Sequence, residues 1–275
     1  MNYRHAFHAG NFADLVKHAA LLQWLTVLQT DAGPLRIIDT HAGSGLYDLR
    51  GPQAQRSGEA QAGVMRMMGA SDLPLALDGL AQAVTAANDG SAEPWLYPGS
   101  PWLIARALRP GDTYVACEMQ PQEHARLAEI VGDRPGVSTL CGDGFAQAAT
   151  ALRPKGRDLV LIDPPFEKAD DYDRIAVLAS EALAQAPQTR FLIWLPLKDL
   201  ETFDAFLRDL EDACEPAPML VVEARMRPLG DPMKMNGCAL VLINAPGGLE
   251  PQLQAVADWV TAGEAGGQAR VWSLG

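Results

Sequence analysis

Asp158-Leu159-Val160-Leu161-Ile162-Asp163-Pro164-Pro165-Phe166 is the stretch that decides how the rest of the chain is read. Asp158 to Ile162 is a short apolar run, the pattern of a strand covered on both faces. Two successive prolines end it. Neither has an N–H to give to a strand ladder, and each keeps the residue before it out of the helical region. The backbone therefore leaves the sheet stiffly, and the Asp163 carboxylate and a nearby carbonyl oxygen become fixed acceptors at the sheet edge.

Similar runs lie on either side. Leu35–Asp39, Thr113–Cys117 and Val137–Leu140 precede it, and Phe191–Leu195 follows. Helical patterns separate them, among them Glu123–Val131 and Tyr172–Ala184. Strands alternating with helices predict an α/β fold with a mainly parallel sheet and helices on both faces. The end differs. Leu220–Arg225 and Cys238–Asn244 read as strands joined by a short loop, followed by a helix over about Pro251–Val260 and a last strand near Arg270–Trp272. Two segments fall outside this scheme. Residues 12–29 read as an amphipathic helix, with Leu15, Ala19, Leu22, Leu25 and Val27 at roughly helical spacing. Residues 47–97 begin polar and rich in Gly, Pro and Gln, then show helical stretches at Glu59–Met68 and Leu75–Ala87. They read as a small helical insert in a main domain made of residues 1–46 and 98–275.

Composition fits this plan. The 275 residues, 48% hydrophobic and 20% charged, suffice for one large domain with an insert. No apolar run reaches the roughly 18 residues that span a bilayer, and Met1–His5 lacks the apolar core of a signal peptide. Cys117, Cys141, Cys214 and Cys238 are widely spaced and fit no zinc pattern. Reduced thiols, a cytoplasmic location and no membrane or metal partner are expected. The net charge of −12 argues against a nucleic-acid partner, although a local basic patch can act within an acidic whole. Four of the five histidines, His5, His8, His18 and His41, lie before residue 42, near Arg4 and Lys17. Their spacing makes no recognised metal set.

Asp39-Thr40-His41-Ala42-Gly43-Ser44-Gly45 follows the first strand. Small residues there let the backbone turn tightly and approach a ligand beyond the strand ends. The segment lacks the dinucleotide fingerprint and the lysine of a P-loop. An ordinary tight turn remains a full alternative. Glu118, the next acidic residue at a strand end, suits the two hydroxyls of a ribose. It lies far beyond the usual spacing of about 20 residues, and the insert accounts for the excess. Asp143-Gly144 follows the third strand, where Asp143 is placed for a nucleoside base, for a helix N-cap, or for both. At Asp163, two fixed acceptors facing the hydrogens of a planar amine conjugated to a purine would favour a pyramidal nitrogen and free its lone pair. Phe166 offers a stacking face for the base.

Asp39-x-x-x-Gly43-x-Gly45, Asp163-Pro164-Pro165-Phe166 and the strand pattern resemble class I S-adenosylmethionine-dependent methyltransferases of the amino-methylating kind. The likeness is closer still to the bacterial 23S ribosomal RNA adenine-N6 methyltransferase family RlmJ. It is carried by Tyr3–Asn11, Lys17-His18, Asp39–Gly43, Tyr97-Pro98-Gly99-Ser100-Pro101, Asp143-Gly144 and Ile162–Pro165, in the same order along nearly the whole chain. The resemblance implies a Rossmann-like fold with a mainly parallel seven-stranded sheet, S-adenosylmethionine as cofactor and 23S ribosomal RNA as partner. It implies His18, His41, Ser100, Glu118, Asp143, Gly144 and Asp163 for the cofactor, and Tyr3 and Lys17 for the RNA. Asp163 would be the catalytic carboxylate, aided by Pro164 and Phe166, with the chain acting as a monomer. Phe166 departs from the family, in which many relatives have Tyr; stacking survives the change, but a hydroxyl contact does not. Glu118-Met119-Gln120-Pro121 also differs from the family's usual residues beside the acidic position, although the carboxylate is kept. The insert would touch RNA through Arg50, Arg56 and Arg66. DNA adenine methylation, protein glutamine methylation and non-catalytic RNA binding are the alternatives. Asp rather than Asn at 163 counts against glutamine, the small insert against DNA, and the intact Asp-Pro-Pro-Phe against lost catalysis.

Overall fold

The computed structural model describes residues 5–230 and 235–274. The order of its main sheet places the chemistry. In chain order the strands are β1 (Arg36–Asp39), β2 (Leu46–Asp48), β3 (Leu96–Pro98), β4 (Thr113–Glu118) and β5 (Val137–Cys141), then β6 (Asp158–Ile162), β7 (Arg190–Leu197), β8 (Met219–Arg225), β9 (Gly237–Ile243) and β10 (Gln268–Leu274). Eight of them form one sheet in the order β10-β8-β9-β7-β6-β1-β4-β5, while β2 and β3 pair separately. The five strands from β5 to β7 are parallel. Three antiparallel pairings then add β9, β8 and β10. The mainly parallel class I arrangement is as expected, but the expected seven strands become eight. Gln268–Leu274 pairs along its whole length with β8 and extends the sheet by one edge strand.

The helices are α1 (Phe12–Leu28), α2 (Pro52–Ser57), α3 (Arg66–Gly69), α4 (Leu75–Ala87), α5 (Ser100–Ala107), α6 (Pro121–Val131), α7 (Gly144–Ala151), α8 (Asp171–Gln185), α9 (Leu200–Cys214) and α10 (Glu250–Thr261). Among the described residues, no helix is long and apolar enough to cross a membrane. Each face of the sheet buries its own core. Leu159 and Leu161 of β6 point to a core shared with α1, α4, α5 and α10. Val160 and Ile162 point to one shared with α7, α8 and α9. An unbroken apolar run thus serves two layers through the strand's period of two. Arg36 at the start of β1 and Asp158 at the start of β6 are register partners and form a two-pronged ion pair at 3.0 and 2.6 Å.

Two sequence readings change. Helix α1, capped by Asn11, is not amphipathic. Every residue from Ala13 to Leu21 is buried, including Asp14, Lys17 and His18. The sheet, α4, α5 and α10 all contact it, and of its residues only Thr26 is exposed. Glu59–Met68 is not one helix either. A π-type turn at Gln61–Met65 leads into α3, with Gly63 at φ −98°, ψ −105°. A Cβ on Gly63 would lie 2.0 Å from the Gly10 carbonyl oxygen, and that oxygen accepts from the Val64 N–H. Residues 47–97 therefore grip the start of α1, and Val64, Met67, Leu77, Leu80 and Val84 share its core. Arg66 is taken up in this packing. Its guanidinium caps the end of α10 by donating to the carbonyls of Trp259, Val260 and Ala262, and it stacks on Trp259.

Candidate active site

Strand β6 ends between β1 and β7, and β1 separates it from β4. This reversal of strand order opens a crevice beyond the carboxyl ends of the strands. Asp163 continues the parity of Leu159 and Leu161, which face α1, and Lys17 of α1 meets it there. Lys17 Nζ donates to Asp163 Oδ2 at 2.5 Å and lies 3.0 Å from Asp14 Oδ1. Asp14 also accepts from the Gly10 N–H and pairs with His5. Burial alone would raise the Asp14 carboxyl, but His5 and Lys17 outweigh it and hold the group well below the usual carboxylate range.

Two cavities meet at this point. The first, about 200 Å³, is lined by Lys17, His18, His41, Ser100, Glu118 and Asp163, among others. The second, about 520 Å³, is lined by Asp163, Pro164, Phe166, Trp194, Lys198 and Arg227, among others. Asp163, Pro165, Lys17 and His5 line both.

Fixed groups furnish the first cavity. Glu118 ends β4 and bridges two turns, accepting from the Gly43 N–H at 2.9 Å and the Gln120 N–H at 2.7 Å. Burial raises its pKa against the pull of these donors. His41 is held near neutral form, its pKa lowered to about 4 chiefly by burial. His18 is lowered to about 3 by burial and by Lys17. Behind the wall, Asp39 accepts from the Ser100 hydroxyl at 2.7 Å and the Tyr114 hydroxyl at 3.1 Å, and burial raises it to about 6.

Asp143 and Gly144 do not line this cavity. Asp143 caps α7 by accepting from the Phe145 and Ala146 N–H groups. Arg174 Nη2 donates to both its oxygens at 2.7 Å. Burial pushes this carboxyl up, but Arg174 and the cap outweigh it and leave it below its ordinary value. Arg174 itself lines the cavity and lies over the Phe145 ring. Gly144 packs α7 against the first turn: a Cβ there would sit 1.7 Å from the Thr40 carbonyl oxygen.

The second cavity has an aromatic wall. Phe166, at φ +50°, packs against Tyr172 and Trp194, with ring centroids 4.9 and 5.9 Å apart. A bulky residue in that region is strained, as residues at functional sites often are. Trp194 was not singled out in the sequence, yet Ile162 pairs with Ile193, so Trp194 stands level with Asp163 on the next strand. A large aromatic one step beyond the neighbouring strand's end was the available signal. Arg174, Lys198 and Arg227 also carried no signal in the sequence, since only the fold brings them here. Tyr3 lies outside the described residues.

A sequence profile described as "Ribosomal RNA large subunit methyltransferase D, RlmJ" matches residues 32–274. The chain belongs to this family. Ribosomal RNA large subunit methyltransferase J of Haemophilus influenzae is 32% identical over 262 residues, 95% of this chain and 93% of that protein. The protein of the same name in Escherichia coli is 31% identical over 261 residues, 94% of this chain and 92% of its own. A solved structure from Legionella pneumophila superposes with a TM-score of 0.88 at 26% identity, covering 97% of this chain and 98% of that one. Membership makes the chain a methyltransferase.

Proposed function

We propose that this chain transfers the methyl group of S-adenosylmethionine to the exocyclic N6 amine of an adenine in 23S ribosomal RNA. The observation that carries the reading is the position of Asp163, on rigid backbone between a small cavity of fixed polar groups and a larger aromatic one.

The first cavity fits the cofactor. Each Glu118 oxygen accepts one backbone N–H, which leaves capacity for the ribose hydroxyls. His18 Nε2 is a buried polar atom with no hydrogen-bond partner among the described residues. His18, His41 and Ser100 would hold the amino-acid end. Asp143 and Gly144 would reach the adenine end only past Arg174, which covers Asp143. The bound cofactor supplies an electrophilic methyl group on a positively charged sulfur.

The protein's own part is to prepare the amine. Lys17 holds Asp163 Oδ2, while Oδ1 has no partner among the described residues and is left to accept from the amine. The Pro164 carbonyl offers a second acceptor. Two acceptors on the N–H bonds favour a pyramidal nitrogen with its lone pair directed away from the ring. Asp163 stabilises the positive charge that develops there, the kind of preorganised electrostatic contribution that dominates many active sites, and it receives the proton released. Phe166 and Trp194 would stack on an unstacked base. Residues 47–97 act in this reading as an insert that braces the start of α1. The chain works as a monomer in the cytoplasm, without a metal.

Mass spectrometry of ribosomal RNA from cells with and without the gene tests the reading. One N6-methyladenine should vanish from the large-subunit RNA and return with the parental gene. An unchanged modification profile would contradict it.

A further inference from the structure

Tyr97 lies on β3, and its fully buried hydroxyl is 2.8 Å from His18 Nδ1. The two rings are nearly parallel, with centroids 5.6 Å apart. His18 lines the first cavity, whereas Tyr97 does not. The phenol has no other hydrogen-bond partner among the described residues. Its proton is assigned to His18 Nδ1, because the opposite assignment would strand the phenol hydrogen away from the cavity, whereas this one leaves the open N–H on His18, which lines it. Burial also keeps the phenol protonated, well above its ordinary pKa. The imidazole is held neutral, so it carries one N–H only. With Nδ1 accepting, that hydrogen sits on Nε2, which is buried and has no hydrogen-bond partner among the described residues.

We infer that Tyr97 is a positioning residue that fixes His18 in the Nε2–H form, a neutral donor for the carboxylate of the cofactor's amino-acid tail. The inference rests on the cofactor reading above. A neutral N–H can meet an acceptor but not the tail's ammonium, so His18 distinguishes the two ends of that zwitterion. The neighbouring cation Lys17 is engaged by Asp14 and Asp163. The tautomer of a histidine is commonly set by what its second nitrogen meets. Here that partner comes from the far end of residues 47–97, and this couples the segment to cofactor recognition.

Two ligands and one spectrum test it on the full chain. S-adenosylhomocysteine carries the amino-acid tail, and 5′-methylthioadenosine lacks it. Nitrogen-15 spectra of the parent should show His18 protonated at Nε2, with that resonance moving on addition of S-adenosylhomocysteine and not of 5′-methylthioadenosine. Tyr97→Phe should weaken S-adenosylhomocysteine by roughly tenfold, the scale of one hydrogen bond to a charged group, and leave 5′-methylthioadenosine unchanged. His18→Ala should show the same selectivity, with no further loss in the double variant. An Nδ1–H form in the parent, or equal losses for both ligands, would overturn the inference while the cofactor reading stands. A parent that binds neither ligand would overturn both. The parent's spectrum decides the matter even if Tyr97→Phe fails to fold.

Discussion

The two cavities that share Asp163 are built on different principles. The first is walled by the ends of β1, β4 and β6 and by α1, and several of its polar groups are held by protein partners. Glu118 is held by backbone N–H groups, Asp39 by Ser100 and Tyr114, and Arg174 by Asp143. The second draws its walls from segments far apart in sequence, with Glu59, Asp163, Trp194 and Arg227 all at its lining. Lys198 and Arg227 stand exposed at this lining, and their side chains have no ion-pair partner among the described residues. The contrast suits the proposed reading, in which a small, constant ligand would meet preset acceptors and neutral donors. On the proposed reading, a polyanion would meet an aromatic wall and exposed cations.

The largest effect that sharpens this contrast belongs to the shared residue. Asp163→Asn keeps an acceptor oxygen and the shape but removes the charge. It should slow single-turnover methylation of ribosomal RNA fragments by about 10²–10³, with cofactor affinity altered far less. Near-parental turnover would remove Asp163 from the chemistry. Next, Glu118→Ala takes a charged acceptor from the first cavity and should weaken cofactor binding by about 1.5–3 kcal/mol in calorimetry. Trp194→Ala removes a stacking face from the second. It should cost about 1–3 kcal/mol in affinity for the RNA fragment, compared at matched melting temperatures because Trp194 also packs against the core. The smallest effect is electrostatic. Lys198→Ala and Arg227→Ala should each lower the slope of log affinity against log salt by about 0.7, the value for one phosphate contact on a single strand. Parallel salt plots for parent and variants would place the RNA backbone elsewhere.

The sequence made the first cavity legible because its residues follow strand ends. Glu118 closes β4, Asp163 closes β6, and the glycine-rich turn closes β1. A carboxylate directly after an apolar run is visible without knowing the fold. Arg174 was not visible, since it reaches Asp143 from 31 residues further along, on α8. The second cavity was almost wholly hidden for the same reason. Helix α1 was misread because Asp14, Lys17 and His18 look like a polar face, when ion pairs and hydrogen bonds let them be buried. The kink at Gly63 was hidden by its cause, the Gly10 carbonyl half a hundred residues earlier. Arg66 looked available for phosphate, but α10 had taken it. The eighth strand was readable as a run at Arg270–Trp272, although a seven-stranded expectation gave it no place.

The central claim is that two cavities take two ligands and share one carboxylate. The most direct test measures cofactor and RNA-fragment affinities, each without the other ligand, on the same preparations of Glu118→Ala and Trp194→Ala. A crossed pattern is predicted: Glu118→Ala loses cofactor affinity and keeps the RNA, while Trp194→Ala loses RNA affinity and keeps the cofactor. If either variant lost both ligands while its melting temperature stayed parental, or lost only the other cavity's ligand, the assignment of the cavities would be contradicted.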